Sequence, residues 1–413
     1  MRRAACALAL VSGLAACDAA VVGASDVTPD TAPDAAQPTR PVLSEARQMV
    51  PSAALPASLE VDDANNNLDI VRFEGRLYLA WRTAPNHFAS PDARLVIAST
   101  ADEQRFDVEA QIHRGTDLRE PRLLVVGDRL FLYFAVLGKS SLDFEPQGMM
   151  VTSRGPDGVW SEPQWFYQPG FIPWRARTVD GVPYLLTYGG GENIYDAVRD
   201  PLEIHWLTTS DGLDWTPVVP GQPVVSSGGG SETDFAFLED GSLVAVIRNE
   251  AGDDLGFGSK VCRAPATALG TWTCKADRRK YDSPLVFRHG ADVWLIARRN
   301  ITRSGYYQLD DPLPAEDPYL DYQLAYWEKP KRCSLWRVDP ESLTVTWAAD
   351  LASRGDTCFA SVVPDGPDAY VIYNYSSPID GPDTSWITGQ LGQTRIYRQR
   401  LSFEPSGPAA APR

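Results

Sequence analysis

The stretch TDFAFLEDGSLVAVIR, residues 233–248, contains two apolar runs joined by the dipeptide Asp240-Gly241. Glycine beside a short polar residue supplies the positive φ that a tight β-hairpin needs. We therefore predict a pair of antiparallel strands here, with Arg248 at the end of the second strand. The same pattern recurs before and after this stretch, and its recurrence indicates the fold.

Six such hairpins follow one another along the chain. Their turns are Glu74-Gly75, Gly127-Asp128, Asp180-Gly181, Asp240-Gly241, His289-Gly290 and Asp365-Gly366. The units repeat about every fifty residues, and most of them contain four strand-like runs, which is typical of a β-propeller. We find no long amphipathic helix. The sequence thus predicts an all-β fold, a six-bladed β-propeller of four-stranded antiparallel blades.

The sixth unit lacks an obvious fourth strand. We expect Ser58–Val61 to supply it from the N-terminal side and so to close the ring. The connections between the second and third strands are long in every unit: 83–92, 136–146, 189–202, 249–256, 299–332 and 376–393. Because strands alternate in direction, these connections share one face of the propeller, the long-loop face, with the starts of the inner strands. Long loops on one side of a rigid scaffold usually carry function.

The N-terminus reads as a targeting segment. A basic start, Met1-Arg2-Arg3, precedes a short apolar run and then Leu14-Ala15-Ala16-Cys17. This ending resembles the bacterial lipoprotein box. The resemblance implies cleavage before Cys17, lipidation of Cys17, and an exported lipoprotein of a Gram-negative bacterium, anchored to the membrane at the periplasmic face or the cell surface. An ordinary signal peptide with an incidental cysteine is the alternative.

The segments around the repeats differ from them in composition. Residues 18–50 are rich in Ala, Pro, Asp and Thr, so we expect a disordered tether there. We expect the propeller over residues 51–405 and a disordered tail over 406–413. Loss of Arg2 and Arg3 with the leader takes the formal net charge from −16 to −18. Such an acidic domain is a poor candidate for nucleic-acid binding, which depends on Lys and Arg.

Four cysteines lie within the repeats. Cys262 and Cys274 flank one hairpin-like stretch of the fourth unit, whereas Cys333 and Cys358 lie in strands of the fifth and sixth units. In an exported protein, these positions predict the disulfides Cys262–Cys274 and Cys333–Cys358. A zinc site is the rival interpretation, but the close cysteine spacing is absent and His is scarce. We expect no metal, no cofactor and a monomer.

Charged and aromatic residues fall at equivalent places in successive units, where strands begin or end at the long-loop face. The starts of first strands provide Asp69, Arg119, Glu120, Trp174, Arg175, Glu232, Asp234, Asp282 and Asp356, and the ends of second strands provide Arg82, Tyr188, Arg248, Arg298, Arg299, Tyr373 and Tyr375. Several Arg forks around one mouth suit a carboxylate, and the carboxylates between them can transfer protons. The alternative is that each Arg pairs with an Asp or Glu as a buried salt bridge.

Several motifs resemble those of sialidase-like propellers with Asp-box (BNR) repeats. They are Ser231–Phe237 with Asp240-Gly241 and Arg248-Asn249-Glu250, Asp117–Arg122, Gly355-Asp356-Thr357, and the Asp-box-like turns Thr209–Trp215 and Asp157–Pro163. The resemblance covers residues 65–403. It implies a carbohydrate-active enzyme in which Arg side chains hold the substrate carboxylate, a Tyr assisted by a Glu is the nucleophile, and an Asp is the acid and base.

The match to that family is incomplete. Glu232 and Arg248 correspond to the Glu and to one Arg, and Arg298 is a second Arg. However, Asp69 stands where the first blade of the family has an Arg, and Phe359 stands where relatives have the Tyr. Without that hydroxyl the usual covalent mechanism lacks its nucleophile. Tyr373 or Tyr375 is a possible substitute. The segment Arg82–Phe88 resembles a first-blade loop of less characterised relatives, which makes His87 a candidate acid or base.

These residues support three hypotheses about function. The favoured one is a glycoside hydrolase acting on an acidic or decorated glycan or oligosaccharide. Its catalytic candidates are Glu232, Asp356 and His87, and its substrate-binding candidates are Arg82, Arg119, Glu120, Arg175, Arg248, Arg298, Tyr188 and Tyr375. The second is a polysaccharide lyase that uses His87, Tyr188 and Arg175. The third is a non-catalytic binding module, whose aromatic residues in the 300–331 insertion stack on sugars or meet a protein partner; alternatively, the insertion only packs its own aromatic residues over the fifth blade.

Overall fold

Two short strands precede the repeats in the structure, β1 (Thr39–Leu43) and β2 (Arg47–Val50). The structure is a computed structural model and describes residues 39–140, 145–190, 200–307 and 318–405. The expected leader, Cys17, most of the expected tether, the expected C-terminal tail and part of the insertion lie outside these residues. Within them, no helix is long and apolar enough to cross a membrane.

Six antiparallel sheets follow, and each is one blade. Blade 1 contains β3 (Ala64–Phe73), β4 (Arg76–Ala84), β5 (Arg94–Thr100) and β6 (Asp107–His113). Blade 2 contains β7 (Leu118–Val126), β8 (Arg129–Val136), β9 (Gly148–Arg154) and β10 (Gln164–Phe166). Blade 3 contains β11 (Ile172–Val179), β12 (Val182–Gly189), β13 (Leu202–Thr208), β14 (Thr216–Pro217) and β15 (Val224–Gly228).

The second half of the ring repeats this order. Blade 4 contains β16 (Gly230–Phe237), β17 (Leu243–Asp253), β18 (Gly256–Ala264) and β19 (Thr273–Asp277). Blade 5 contains β20 (Leu285–His289), β21 (Asp292–Asn300), helix α1 (Pro318–Trp327), β22 (Lys331–Asp339) and β23 (Thr344–Asp350). Blade 6 contains β24 (Ser361–Pro364), β25 (Ala369–Ser376), helix α2 (Trp386–Leu391) and β26 (Arg395–Pro405). The predicted six-bladed propeller is confirmed.

The ring closes differently from our expectation. The outer strand of blade 6 is β1, which pairs with β26, and β2 also pairs with β26. Ser58–Val61 forms no strand. The expected closing strand was therefore wrong, and residues 39–50, which we expected in a disordered tether, belong to the propeller. The apolar pattern of these two strands is too short to stand out from the surrounding polar sequence.

All six predicted turns connect the first two strands of a blade. In blades 1 and 3 they have the left-handed geometry of a tight hairpin, with φ of 47° and 73° at Glu74 and Gly75, and 49° and 80° at Asp180 and Gly181. Blades 4 and 6 use longer turns. Both predicted disulfides, Cys262–Cys274 and Cys333–Cys358, are confirmed.

Aspartates also organise the turns between third and fourth strands. Asp211 accepts hydrogen bonds from the backbone of Leu213 and Asp214, at 2.9 Å each. Equivalent turns occur at Asp102, Asp157 and Asp339 in three other blades. The sequence resemblance identified only Asp157 and Asp211, because the other two turns share the capping carboxylate but not the glycine that follows it.

Apolar side chains fill the spaces between neighbouring blades, and two buried aspartates tie the inner strands together. Asp69 accepts from the backbone N–H of Leu123 in blade 2 at 2.9 Å and from Ser361 Oγ in blade 6 at 2.5 Å. Asp234 accepts from Val286 N–H in blade 5 at 2.7 Å and pairs with Arg175 of blade 3. These bonds join the inner strands of blades 1, 2 and 6 to one another, and those of blades 3, 4 and 5.

Candidate functional site

A cavity of about 250 Å³ lies at the long-loop face, where residues at or near strand ends of all six blades meet the long connections of blades 1, 2, 5 and 6. It brings together four of the predicted residues, Arg119, Glu232, Arg248 and Arg298. Of the other predicted site residues, His87, Glu120, Tyr188 and Tyr375 also line it. The remaining lining is mainly aromatic, amide and hydroxyl-bearing: Asn67, Phe88, Ser140, Ser283, Gln323, Trp327, Phe359, Trp386 and Gln390.

Three predicted site residues lie behind the lining. Arg175 donates to the carbonyl of Pro284 at 3.0 Å and pairs with Asp234, within the inner ring. Asp356 is fully buried but contacts His87 directly. Arg82 is also fully buried, and Asp117 accepts from its Nε and Nη2. Its sequence position at a strand end does not distinguish a side chain that faces the cavity from one that turns into the blade.

Arg82 fixes the loop that carries His87. Its two Nη atoms donate to the carbonyls of Asn86 at 3.1 Å and Phe88 at 2.9 Å, on either side of His87. Arg119 donates to the carbonyl of His87 at 2.6 Å, and the N–H of His87 donates to the carbonyl of Gln390 at 3.0 Å. The imidazole is therefore held at the cavity by its neighbours on both sides.

His87 and Asp356 form a hydrogen-bonded dyad, with 2.5 Å between Nδ1 and Oδ2. The other oxygen of Asp356 accepts from Tyr375 Oη at 3.0 Å and from Trp386 Nε1 at 2.9 Å. Burial alone would raise the pKa of Asp356, but His87, Arg298 and Tyr375 offset it and leave the pKa lowered. An ionised Asp356 assigns the proton to Nδ1, so that Nε2 of a neutral His87 is the basic atom.

Burial controls the other titrations at this end of the cavity. It lowers the pKa of His87 more than Asp356 raises it, so the imidazole is neutral at neutral pH. It raises the pKa of Tyr375 well above its usual value, and the charge of Asp356 adds to that shift. Tyr375 is therefore a protonated donor and a poor nucleophile. Tyr373 lies outside the lining and donates to Glu103 at 3.0 Å, so neither tyrosine replaces the hydroxyl missing at Phe359.

Two carboxyl groups of the lining hold their protons unusually tightly. Burial raises the pKa of Glu120 to about 7, despite the charge of Arg122, and the charge of Glu232 adds to the shift. One oxygen of Glu120 accepts from Asn67 at 2.9 Å, and among the described residues nothing hydrogen-bonds the other. Burial also raises the pKa of Glu232 more than Arg248 lowers it. Both oxygens of Glu232 are engaged, by Arg248 and by the N–H of Ser283 at 2.6 Å.

The blade 4 and 5 side of the cavity is a lattice of ion pairs. Arg248 contacts Glu232, Glu250 and Asp282. Asp282 also pairs with Arg298 at 2.8 Å, and Glu250 with Lys280 at 2.5 Å. Sequence reasoning missed Lys280 altogether, since nothing marks a single lysine between strands as buried.

The insertion in blade 5 forms a wall of the cavity. Tyr307, Tyr319, Tyr322 and Tyr326 are buried, and Tyr326 Oη donates to Asp282 at 2.7 Å. Among its described residues only Gln323 and Trp327 line the cavity. Its aromatic residues mostly pack against one another, against Phe257 of blade 4 and against Trp386 of blade 6, rather than over blade 5 as the alternative expected.

Arg122 is a further residue that sequence reasoning did not select. It is fully buried behind the cavity floor, with its guanidinium 4.3 Å from the ring centre of Phe359 and 4.8 Å from that of Trp174. Glu120 is the nearest carboxylate, at 3.8 Å. The aromatic ring of Phe359 thus lies between the cavity and a buried cation.

No protein-family model matches the chain, and no curated protein matches it. Similar solved structures include a protein of unknown function from Dyadobacter fermentans DSM 18053, with 14% identity, a TM-score of 0.57, and coverage of 83% of this chain and 95% of that one. The Trypanosoma rangeli sialidase in complex with the inhibitor DANA shows 12% identity, a TM-score of 0.56, and coverage of 87% and 59%. The same sialidase with sialic acid shows 12% identity, a TM-score of 0.52, and coverage of 83% and 54%. The chain thus spans little more than half of that sialidase, and these likenesses support the propeller fold alone.

Among the described residues no group of three or more His, Cys, Asp or Glu side chains is arranged to hold a metal ion. The side chains that line the cavity can transfer protons and form hydrogen bonds. A neutral imidazole with an ionised partner and a carboxyl group with a pKa of about 7 provide a base and an acid in one cavity.

Proposed function

We propose that this protein is a glycoside hydrolase that binds one sugar unit of a glycan in the cavity. The observation that carries the proposal is the His87–Asp356 dyad, held at 2.5 Å in the cavity that Glu120 also lines. Burial raises the pKa of Glu120 to about 7, and a carboxyl group shifted in this way is typical of acid–base catalysis. The similarity of the fold to sialidases is consistent with carbohydrate chemistry but does not by itself carry it.

In the proposed reaction Nε2 of His87 removes a proton from a water molecule as the water oxygen bonds to the anomeric carbon. The glycosidic carbon–oxygen bond breaks, and the leaving oxygen takes the proton of Glu120. Asp356 stabilises the imidazolium that forms, and proton exchange with solvent restores both groups. Arg82 and Arg119 act by positioning the His87 loop. General acid and base groups each contribute about 10²- to 10⁴-fold to rate.

The polysaccharide lyase hypothesis is less well supported. It requires an Arg to neutralise a uronate, and Arg175, the residue expected for that task, is engaged with Asp234 and Pro284 behind the lining. His87 and Tyr188 do line the cavity. A lyase would release an unsaturated sugar that absorbs ultraviolet light, whereas a hydrolase releases a saturated reducing end.

A panel of oligosaccharides and polysaccharides, assayed with the full chain for new reducing ends and for ultraviolet absorbance, tests the proposal. We expect saturated products, and their loss in His87→Ala. The matched control is His113→Ala, because His113 is exposed on the outer strand of blade 1. Glycan binding without turnover, unchanged by His87→Ala, would instead favour the binding-module hypothesis.

We further propose that Cys17 carries a lipid that anchors the protein to a membrane after export. The two disulfides are consistent with an oxidising compartment. Cys17→Ser should move the protein from the membrane fraction to the soluble fraction on cell fractionation. Retention of the variant in the membrane fraction would contradict the proposal.

A further inference from the structure

The arginines of the cavity are engaged by the protein itself. Arg119 pairs with Asp117 and donates to the carbonyl of His87 at 2.6 Å. Arg298 donates to the carbonyl of Thr357 at 2.7 Å, to Asp282 at 2.8 Å and to the carbonyl of Cys358 at 3.3 Å. The indole of Trp386 covers one guanidinium face of Arg298, with 4.6 Å from Cζ to the ring centre.

Arg248 is the most strongly paired of the three. Its nitrogens contact Glu232, Glu250 at 2.5 Å and Asp282 at 3.2 Å. A carboxylate on a ligand would have to displace one of these buried carboxylates or sit beside all three. Both alternatives cost free energy, because buried like charges repel and a displaced buried carboxylate loses its partner.

Positive charge is balanced around the cavity as a whole. Among the described residues, the lining and the side chains ion-paired with it contain six carboxyl groups and four cations: Asp117, Glu120, Glu232, Glu250, Asp282 and Asp356 against Arg119, Arg122, Arg248 and Arg298. Arg82 and Lys280 pair in turn with Asp117 and Glu250, so the wider set contains six of each.

The remaining lining suits an uncharged sugar. Trp327, Trp386 and Phe88 offer aromatic faces, and Gln323 and Gln390 offer amides. A sugar hydroxyl both donates and accepts, so it can contact a guanidinium and its paired carboxylate together without adding charge. The ion pairs of the lattice can therefore hydrogen-bond the hydroxyl groups of a sugar, whereas they disfavour binding of a carboxylate.

We infer that the sugar unit bound in this cavity is electrically neutral, and that a uronic or sialic acid is rejected by the paired carboxylates around Arg119, Arg248 and Arg298. The inference rests on the proposed function, since it names the substrate class of the same site. It replaces the acidic glycan expected from the sequence. That expectation required arginine N–H groups that the protein does not already engage.

Matched pairs of methyl glycosides that differ only at C6, such as galactose against galacturonic acid, test the inference with the full chain. We expect the neutral member of the preferred pair to bind at least about tenfold more tightly, a difference that calorimetry or saturation-transfer NMR resolves. Its affinity should change little with salt, because no charge is neutralised on binding. Tighter binding of the acid would overturn the inference and leave the hydrolase proposal standing, whereas failure of all neutral and acidic sugars to bind would overturn both.

Neutralising one of the carboxylates that pair with Arg248 gives a second test. Glu250→Gln should raise the affinity for the acid relative to the neutral sugar by about fivefold or more, since Arg248 then has a donor without a charged partner. Glu232→Gln makes the same test at another carboxylate of Arg248 if the first variant is unstable. The matched control is Glu341→Gln, because Glu341 is an exposed residue paired with Arg263 on the opposite face. An unchanged preference in both folded variants would show that paired carboxylates do not set the selectivity.

Discussion

The two sides of the cavity use buried charge in different ways. On the side of blades 1 and 6, His87 contacts one carboxylate, Asp356, and presents a neutral base to the cavity. On the side of blades 4 and 5, Arg248 is surrounded by Glu232, Glu250 and Asp282. A group with one ionised partner can gain and lose a proton, whereas a lattice of several ion pairs cannot lose a member without losing stability. The first side is therefore suited to chemistry and the second to structure and selectivity.

The largest expected effect is on the chemical side. Asp356→Asn should lower kcat by about 10²- to 10⁴-fold, because it removes the charge that stabilises the imidazolium of His87. Asn retains an oxygen to accept from Tyr375 and Trp386, so the fold should persist. The double variant with His87→Ala should be no worse than the single variants, because the two residues act as a unit. Steady-state kinetics on the substrate found in the panel measures this, and independent, multiplicative losses would contradict the dyad.

On the side of blades 4 and 5, the largest expected effect is on the free energy of unfolding. Arg248→Met should lower the free energy of unfolding by about 3–5 kcal/mol, because Glu232, Glu250 and Asp282 lose their shared cation. The matched control is Arg263→Met, whose pairs with Glu341 and Asp240 lie at the surface and should cost at most about 1 kcal/mol. Denaturant unfolding monitored by tryptophan fluorescence gives both values. Equal losses in the two variants would mean that the lattice is no more structural than a surface pair.

Glu120 should make the stability of the protein depend on pH. Its pKa is 4.5 in the unfolded chain and about 7 in the folded protein, so the folded state binds the proton more tightly. The stabilising effect of that proton is complete below about pH 4.5 and is lost as the pH rises through about 7. Glu120→Gln should therefore unfold like the wild type at low pH and be up to about 3 kcal/mol more stable above about pH 8.

If Glu120 is the proposed acid, the same group should set the alkaline limb of the pH profile of turnover. Turnover should fall as the pH rises above about 7, where Glu120 loses the proton it donates, and fall again in acid as His87 is protonated. The variant Glu120→Gln should lack the alkaline limb and retain little activity. A wild-type profile that stays flat well above neutral pH would exclude Glu120 as the acid.

The smallest expected effect is a difference in kcat between variants that lack one or the other disulfide. Cys358 follows Asp356 by two residues and precedes Phe359 of the cavity, whereas Cys262–Cys274 joins two outer strands of blade 4. Replacing either pair with serines should lower stability by about 2–4 kcal/mol. Only loss of Cys333–Cys358 should also lower kcat of the folded enzyme, by about tenfold, because it loosens the segment that holds Asp356. Identical kcat values in the two double variants would show that this disulfide does not position the dyad.

Local patterns made much of the fold predictable. Each hairpin depends on neighbouring residues and on a glycine or short polar residue at the turn, so its sequence specifies it directly. The six-fold recurrence then predicted the propeller. The closure of the ring by residues 39–50 could not be recognised in this way, because β1 and β2 derive their order from pairing with β26, more than three hundred residues away in sequence.

The location of the cavity was predictable from the sequence, but the pairing of its charged side chains was not. Strand ends predicted that Arg119, Glu232, Arg248 and Arg298 meet at one mouth, and they line one cavity. The sequence could not show that Arg82 turns inward to Asp117, or that Glu250 and Lys280 complete a lattice around Arg248. Pairing depends on side-chain direction across blades, which the spacing along one strand does not contain.

The sequence by itself determined the six blades, the face on which the cavity lies and the partners of the four cysteines of the repeats, since these follow from periodicity and local turn chemistry. The tertiary structure alone decided which charges face the cavity and which neutralise one another. That difference has a physical cause: a strand's fold depends on its neighbours along the chain, whereas the pKa of a buried group depends on every charge around it, whichever blade supplies it.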